Sequence, residues 1–373
     1  MIQIQLRLFS LVLLCLWLTS CGGSSSPSSG AQPPSLGSTV DAIANTAMQQ
    51  QGLPGMTIAL GKNGTMLYFK AYGVSNVATK LTTQTNTIFG IGSITKQFTA
   101  ALIMKLQEQG KLQVDDPLDA YLPKYNFPST ITLRMLLTHT SGLADYTTFS
   151  SYPGWATNGV SEATLLTAVS QVPLLFQPGT QWSYSNSNYF ALGAVIEKVT
   201  GQSYETNLNQ NIIQPLGLTS TYYSLPPSSQ SAIGYTMGTT GVLVPALVVD
   251  RSAPFAAGAL SSSVIDLVDW DNARVNGQVV SPASFKEMTT PIPLMVGNGS
   301  GSYGFGLELS AFNGRPIISH DGAITGFNAD TEVFLDSGFA VEVLTNRDDA
   351  NPVSIVTQIV TSVCNSAQLS SNC

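Results

Sequence analysis

Histidine is nearly missing from this chain: His139 and His320 are the only two in 373 residues. A catalytic zinc is held by protein ligands that are mostly histidines, so a zinc hydrolase is excluded in practice and no metal is expected. Charge is scarce as well. Asp, Glu, Lys and Arg make up 10% of the residues, against roughly 25% in an average soluble domain. Ser, Thr, Asn, Gln and Gly must therefore carry the surface polarity. No basic run occurs and the formal net charge is -7, which excludes nucleic acid as a partner. A Gly-x-Ser-x-Gly elbow is missing, since Gly201-Gln202-Ser203-Tyr204-Glu205 lacks the final glycine. There is no phosphate loop or dinucleotide fingerprint either, and no cofactor is expected.

Apolar residues make up 43%, enough for one large core. The first twenty residues carry a targeting signal. Arg7 precedes an apolar stretch, Leu8 to Leu18, too short for the about 20 residues a spanning helix needs. It ends Leu18-Thr19-Ser20-Cys21, which resembles a bacterial lipobox, so residues 1–20 are expected to be a lipoprotein signal peptide. Cys21 is then the lipidated first residue, and the membrane is a partner through that anchor. Residues 21–37, almost all Gly, Ser and Pro, read as a tether. Gly22 stands where an aspartate would retain a lipoprotein in an inner membrane. The expected location is thus the bacterial cell envelope, on the outer membrane or the periplasmic face. Cys15 leaves with the signal, and Cys364 and Cys373 are expected to pair in an oxidising compartment.

Residues 38–365 read as one domain and 366–373 as a C-terminal tail. Val40 to Gln51 reads as a helix. Met56 to Leu60 and Thr65 to Ala71 read as strands joined by Lys62-Asn63-Gly64, a hairpin signal. A helix opens at Ser93 and stops at Gly110, and another covers Asn188 to Thr200. Pro316 to His320, Thr331 to Leu335 and Phe339 to Thr345 read as strands, and Asn351 to Val363 as a closing helix. Strands at both ends with helices between predict an α/β (α+β) fold. One antiparallel sheet is built from both termini, with flanking helices and an inserted, mostly helical region.

A serine hydroxyl needs a nearby base to become a nucleophile at neutral pH. Ser93-Ile94-Thr95-Lys96 puts an amine on the same helix face one turn on, and no other lysine here has a serine three residues before it. Tyr184-Ser185-Asn186 is the only Tyr-x-Asn, and His320-Asp321-Gly322 follows an apolar strand. With these three elements in this order, the chain resembles the serine β-lactamase and penicillin-binding-protein superfamily. That superfamily includes class C β-lactamases, D-Ala-D-Ala carboxypeptidases and related esterases. Leu136-Leu137-Thr138-His139-Thr140-Ser141-Gly142-Leu143, Pro215-Leu216-Gly217-Leu218, Ala257-Gly258-Ala259-Leu260-Ser261-Ser262, Tyr303-Gly304-Phe305-Gly306-Leu307 and Gly326-Phe327-Asn328 resemble its connecting landmarks. The likeness spans about residues 40 to 363.

The resemblance implies a β-lactamase/transpeptidase-like fold and these roles. Ser93 becomes acylated. Lys96 and Tyr184 share its proton, and which is the base stays open. Asn186 holds the substrate and Lys96, and His320 lies beside Tyr184 and helps to place the substrate. The N–H groups of Ser93 and Ala323 form an oxyanion hole, with Gly322 allowing close approach. A free tyrosine has a pKa near 10 and a free lysine near 10.4, so making either a base at pH 7 takes roughly 4 kcal/mol.

His320 stands where class C β-lactamases carry lysine, and a neutral histidine holds a substrate carboxylate less firmly. The expected activity is serine hydrolysis of peptide, amide or ester bonds in D-amino-acid peptides, peptidoglycan fragments or small acyl esters. A class C-like β-lactamase is one alternative, and a slowly deacylating penicillin- or peptidoglycan-binding protein of the envelope is the other. Asp321 is expected in a turn facing solvent, Glu205 on a solvated helix face, and His139 as a turn support. Tyr146 is divided between substrate contact and core packing.

Overall fold

The computed structural model describes residues 35–293 and 302–373. The expected signal peptide, Cys21 and the tether through residue 34 lie outside the described residues. Helix α1 (Leu36–Gln51) begins four residues before the expected Val40, so the tether boundary at residue 37 is corrected. Ser35 Oγ accepts the Ser38 N–H at 3.1 Å while Ser38 Oγ accepts the Ser35 N–H at 2.9 Å. This reciprocal cap recruits Leu36 and Gly37 into the first turn despite their tether-like composition.

Strands β1 (Gly55–Lys62) and β2 (Thr65–Asn76) follow. Asn63 (φ 48°) and Gly64 (φ 77°) form the expected turn between them, both in the left-handed region that such a two-residue hairpin requires. After the short β3 (Leu81–Thr82) the chain leaves the sheet for helices α2 (Thr95–Glu108), α3 (Asn186–Thr200) and α4 (Val264–Val275). It returns through β4 (Ile292–Pro293), β5 (Ser302–Tyr303), β6 (Glu308–Phe312), β7 (Arg315–Ile324), β8 (Phe327–Phe334) and β9 (Phe339–Thr345). Helix α5 (Pro352–Cys364) closes the fold. The strands form one nine-stranded antiparallel sheet in the order β3-β2-β1-β9-β8-β7-β6-β5-β4, as expected of a sheet drawn from both termini.

All seven residues of β9 are buried, because helices cover both faces of the sheet. Phe339, Val341 and Val343 join Ile58 and Leu60 of β1 beneath Ala44 of α1 and Ile355, Ile359 and Val363 of α5. On the other face, Phe98 of α2 stacks on Trp270 of α4 with ring centroids 4.0 Å apart. The position of α2 against the sheet, set by this face, decides where Ser93 stands. Among the described residues no helix is long and apolar enough to cross a membrane.

The chain end is not a loose tail. Cys364 and Cys373 are disulfide-bonded, and Leu369 and Cys373 are buried against the α1–α5 side of the core, so residues 366–373 belong to the domain. A bridge spanning nine residues of sequence removes loop entropy from the unfolded chain worth roughly 2–3 kcal/mol. The double variant Cys364→Ser/Cys373→Ser should lose that much in a urea titration and match the reduced wild type. An unchanged midpoint would mean the packing of Leu369 alone fixes the end.

Candidate active site

Ser93 sits in a single 3₁₀ turn, Gly92–Ile94, directly ahead of α2. The helix expected to open at Ser93 therefore starts two residues later. Thr95 pins the junction, its Oγ1 accepting the Leu260 N–H at 3.1 Å. Ser93 Oγ faces the first turn of α2, where the Lys96 Nζ lies 2.9 Å away. The Tyr184 hydroxyl, from the segment before α3, reaches the same oxygen at 2.8 Å.

Lys96 is completely buried. Its Nζ has three neighbours: Ser93 Oγ at 2.9 Å, Asn186 Oδ1 at 2.9 Å and the Ala257 carbonyl at 2.7 Å. The last two only accept hydrogen bonds. In the neutral amine two N–H bonds go to them, and the remaining lone pair points at Ser93. Burial pushes the lysine pKa down to about 7, against the opposing pull of Asp145 and Asp321. Burial moves the Tyr184 phenol the other way, upward, so it stays protonated at neutral pH.

Asn186 is the first residue of α3. Its Nδ2 donates to Asp145 Oδ2 at 3.0 Å. Because a carboxylate only accepts, this fixes the amide with its oxygen toward Lys96. Asp145 is itself held by the Thr147 N–H at 3.0 Å. His139 orders the Tyr184 segment, as expected of a turn support. Its Nδ1 accepts from the Ser185 N–H at 3.2 Å and faces the Asn188 amide at 3.0 Å. Its ring lies 4.4 Å from that of Tyr184, and burial holds its pKa well below the ordinary value.

The ring of His320 lies beside Tyr184, with centroids 6.3 Å apart, where the sequence places it. Its hydrogen bonds lead elsewhere. Nδ1 meets the Asp321 carbonyl at 2.5 Å and Nε2 meets the Tyr303 hydroxyl at 2.9 Å. The carbonyl can only accept, so Nδ1 carries the proton and Tyr303 donates to Nε2. Burial, followed by the charge of Lys96, lowers the His320 pKa to about 4. With 1% of its surface exposed and both nitrogens hydrogen-bonded within the protein, His320 is a buried, neutral ring packed beside Tyr184.

Strand β7 completes the site. A Cβ on Gly322 would lie 2.0 Å from the Ile91 carbonyl oxygen, and one on Gly92 would lie 2.7 Å from the Ala323 nitrogen. This close approach sets the Ala323 backbone against the turn that carries Ser93. Asp321 is part of β7, paired with Asp330 of β8, which corrects its expected turn conformation. It is exposed, as expected.

Tyr146 belongs to the core: it is 1% exposed and its hydroxyl donates to the Ala253 carbonyl at 2.6 Å. Glu205 lies on a short surface helix, Tyr204–Leu208, 3.0 Å from Arg251. Asp145, Tyr303 and the carbonyl of Ala257 are site members that sequence reasoning did not assign. Tyr303 and Ala257 fall inside recognised landmarks, whereas nothing local marks Asp145.

The family described as Beta-lactamase matches residues 40–359. A penicillin-binding protein of Bacillus subtilis (strain 168) is 30% identical over 318 residues, covering 79% of this chain and 68% of its own length. Among solved structures, the octameric penicillin-binding protein homologue from Pyrococcus abyssi superposes with a TM-score of 0.78 at 29% identity, over 87% of this chain and 76% of that one. A D-stereospecific amidohydrolase from Streptomyces sp. gives 0.77 at 27% identity, over 90% and 100%. The chain belongs to the β-lactamase family.

Proposed function

We propose that this β-lactamase family member is a serine hydrolase that cleaves amide or ester bonds through an acyl-serine, with D-amino-acid compounds and small acyl esters as substrates. The observation that carries the reading is the set of contacts around Lys96. A buried amine with two acceptor neighbours and one hydroxyl neighbour is arranged to take that hydroxyl's proton. Ser93 Oγ bonds to the substrate carbonyl carbon as its proton passes to Lys96. The carbonyl oxygen takes up the developing charge near the Ser93 and Ala323 N–H groups. Tyr184 donates its proton to the departing nitrogen or oxygen, the carbonyl–leaving-group bond breaks, and the proton held by Lys96 restores the phenol. Water then attacks the acyl-serine by the reverse route.

Two features support neutral substrates over carboxylate-bearing ones. His320 is neutral where a cation would grip a carboxylate, and Asp321 next to it is exposed and charged enough to be felt at Lys96 and Tyr184. The similarity to a D-stereospecific amidohydrolase agrees with amide cleavage.

The test compares p-nitrophenyl acetate, a D-amino-acid amide and a fluorescent penicillin. Turnover of the first two, with slow or no penicillin turnover, is expected. Rapid penicillin turnover without the others would make the protein a β-lactamase, and a stable penicillin adduct without any turnover would make it a binding protein. The pH profile reads the base. Only neutral Lys96 accepts a proton, and its pKa is lowered to about 7, so kcat/KM should rise with pH up to about 7 and then level. A rise continuing to pH 10 would point to a lysine of ordinary basicity.

We further propose the envelope as the site of action, on the strength of residues 1–21. Cys21→Ser should move the protein from the membrane fraction to the soluble one. Equal membrane association of both forms would remove the lipid anchor.

A further inference from the structure

A cavity of about 140 Å³ is lined in part by residues that follow Ala323 and precede Ser93 in the chain, and no role described so far uses it. Leu225, Ile233, Ala246, Leu247, Ile324 and Phe327 form its largely apolar walls. Two of its walls are continuous with the site. Ile324 directly follows Ala323 on β7, and Gly90 leads through Ile91 and Gly92 to Ser93. At Gly90 the strand lies close beneath Ile324 and Phe327, whose side chains would stand 3.1 Å from an added Cβ.

The direction of β7 assigns the cavity to one half of a substrate. His320 and Tyr184 stand at one end, where the leaving group takes its proton. Ala323 lies at the carbonyl, and Ile324 and Thr325 lie beyond it. At about 3.3 Å per residue, His320 and Ile324 are roughly 13 Å apart. A substrate with its carbonyl carbon at Ser93 and its leaving group toward Tyr184 therefore extends its acyl portion toward the cavity.

The chemistry of the rim agrees. Leu247 is 73% exposed and Val248, which also lines the cavity, is 88% exposed. Neighbouring Val242 and Val244 are exposed too. Contiguous exposed apolar residues beside a cleft mark a surface that something apolar covers. A dry cavity of about 150 Å³ lined by Leu, Ile and Phe accepts a molecule the size of benzene.

We propose that this cavity is an acyl-side pocket that selects one aromatic ring or an aliphatic group of about four to six carbons. The assignment rests on the serine-hydrolase reading above and narrows its substrate class to bulky, uncharged acyl groups, because the one charged lining residue, Arg251, is already paired with Glu205 at 3.0 Å. Each methylene that enters the pocket should raise kcat/KM roughly three- to fourfold, until the pocket is full.

The test is an acyl series of p-nitrophenyl esters: acetate, butyrate, hexanoate, decanoate and phenylacetate. The full-length protein should prefer hexanoate to acetate by on the order of 100-fold, accept phenylacetate comparably, and fall off at decanoate. Leu225→Trp and Ile233→Trp, both at half-buried or exposed wall positions, should collapse the hexanoate-to-acetate ratio toward one. Leu225→Ala should move the optimum to a longer chain. Thermal melts equal to wild type would show that the variants fold. Ser93-dependent hydrolysis with a flat acyl profile, or a profile that no wall variant shifts, overturns the pocket assignment alone. Loss of all Ser93-dependent ester and amide hydrolysis overturns the serine-hydrolase reading, and the pocket with it.

Discussion

Ser93→Ala and Lys96→Met should each lower kcat/KM on the order of 10⁴-fold or more, and the double variant should be no worse than either alone. The two side chains form one device: among the described residues the hydroxyl's only other side-chain partner is the protonated Tyr184 phenol, and the other two neighbours of the amine are acceptors. Groups that act as a unit are strongly non-additive, and removing one leaves only what binding and oxyanion stabilisation provide. Methionine is the informative replacement because it keeps the length and burial of the lysine stem while removing the base. Lys96→Arg should fail equally, since a guanidinium does not deprotonate in proteins. Steady-state kinetics on the best ester, with a burst assay for acyl-enzyme, reads all four. Additive losses in the double variant would mean that the two residues serve different steps.

Gly322→Ala should cost the enzyme roughly 10²- to 10³-fold in kcat, the scale of a lost oxyanion donor. The new methyl group would lie 2.0 Å from the Ile91 carbonyl oxygen. The methyl is fixed to the backbone and its partner is main chain, so no side chain can swing aside. Either β7 retreats or the turn carrying Ser93 does, and in both cases the Ala323 N–H moves off the reacting carbonyl. Overpacking of this kind also destabilises by about 1–3 kcal/mol, which a urea titration would report beside the kinetics. Gly154→Ala, with nothing within 4 Å of the added carbon, serves as the neutral control. Activity within a few-fold of wild type in Gly322→Ala would show that this strand contributes no donor.

The residues that touch Ser93 were legible in the sequence because two kinds of signal met. Lys96 follows at helical spacing, which is a local signal. Tyr184, and Asn186 which touches Lys96, follow from the order of motifs along the chain. The acid that orients Asn186 was not legible. Asp145 lies 41 residues from its partner, and a lone aspartate in a loop looks like any solvated turn residue. Tyr303 was seen only as part of a landmark phrase, since its hydrogen bond to His320 depends on how β5 and β7 come together across the sheet.

The hydrogen-bond partners of His320 were not legible either. Sequence shows a polar residue at the third motif, but only coordinates show that a carbonyl and a phenol occupy both ring nitrogens. Boundaries slipped where composition misled. Asp321-Gly322 has the look of a turn, yet β7 continues through it because Asp330 and Ala329 of β8 supply partners in register. Leu36 and Gly37 look like spacer, yet a serine pair caps a helix there.

The sheet order has a consequence for biosynthesis. β1 and β2 are made early, but the neighbour of β1 is β9, about 280 residues later. Until that last strand is released, a long apolar edge stands unpaired, a template for wrong partners. Maturation is thus a late, whole-chain event with slow closure, and fragments ending before residue 339 should be sticky and short-lived.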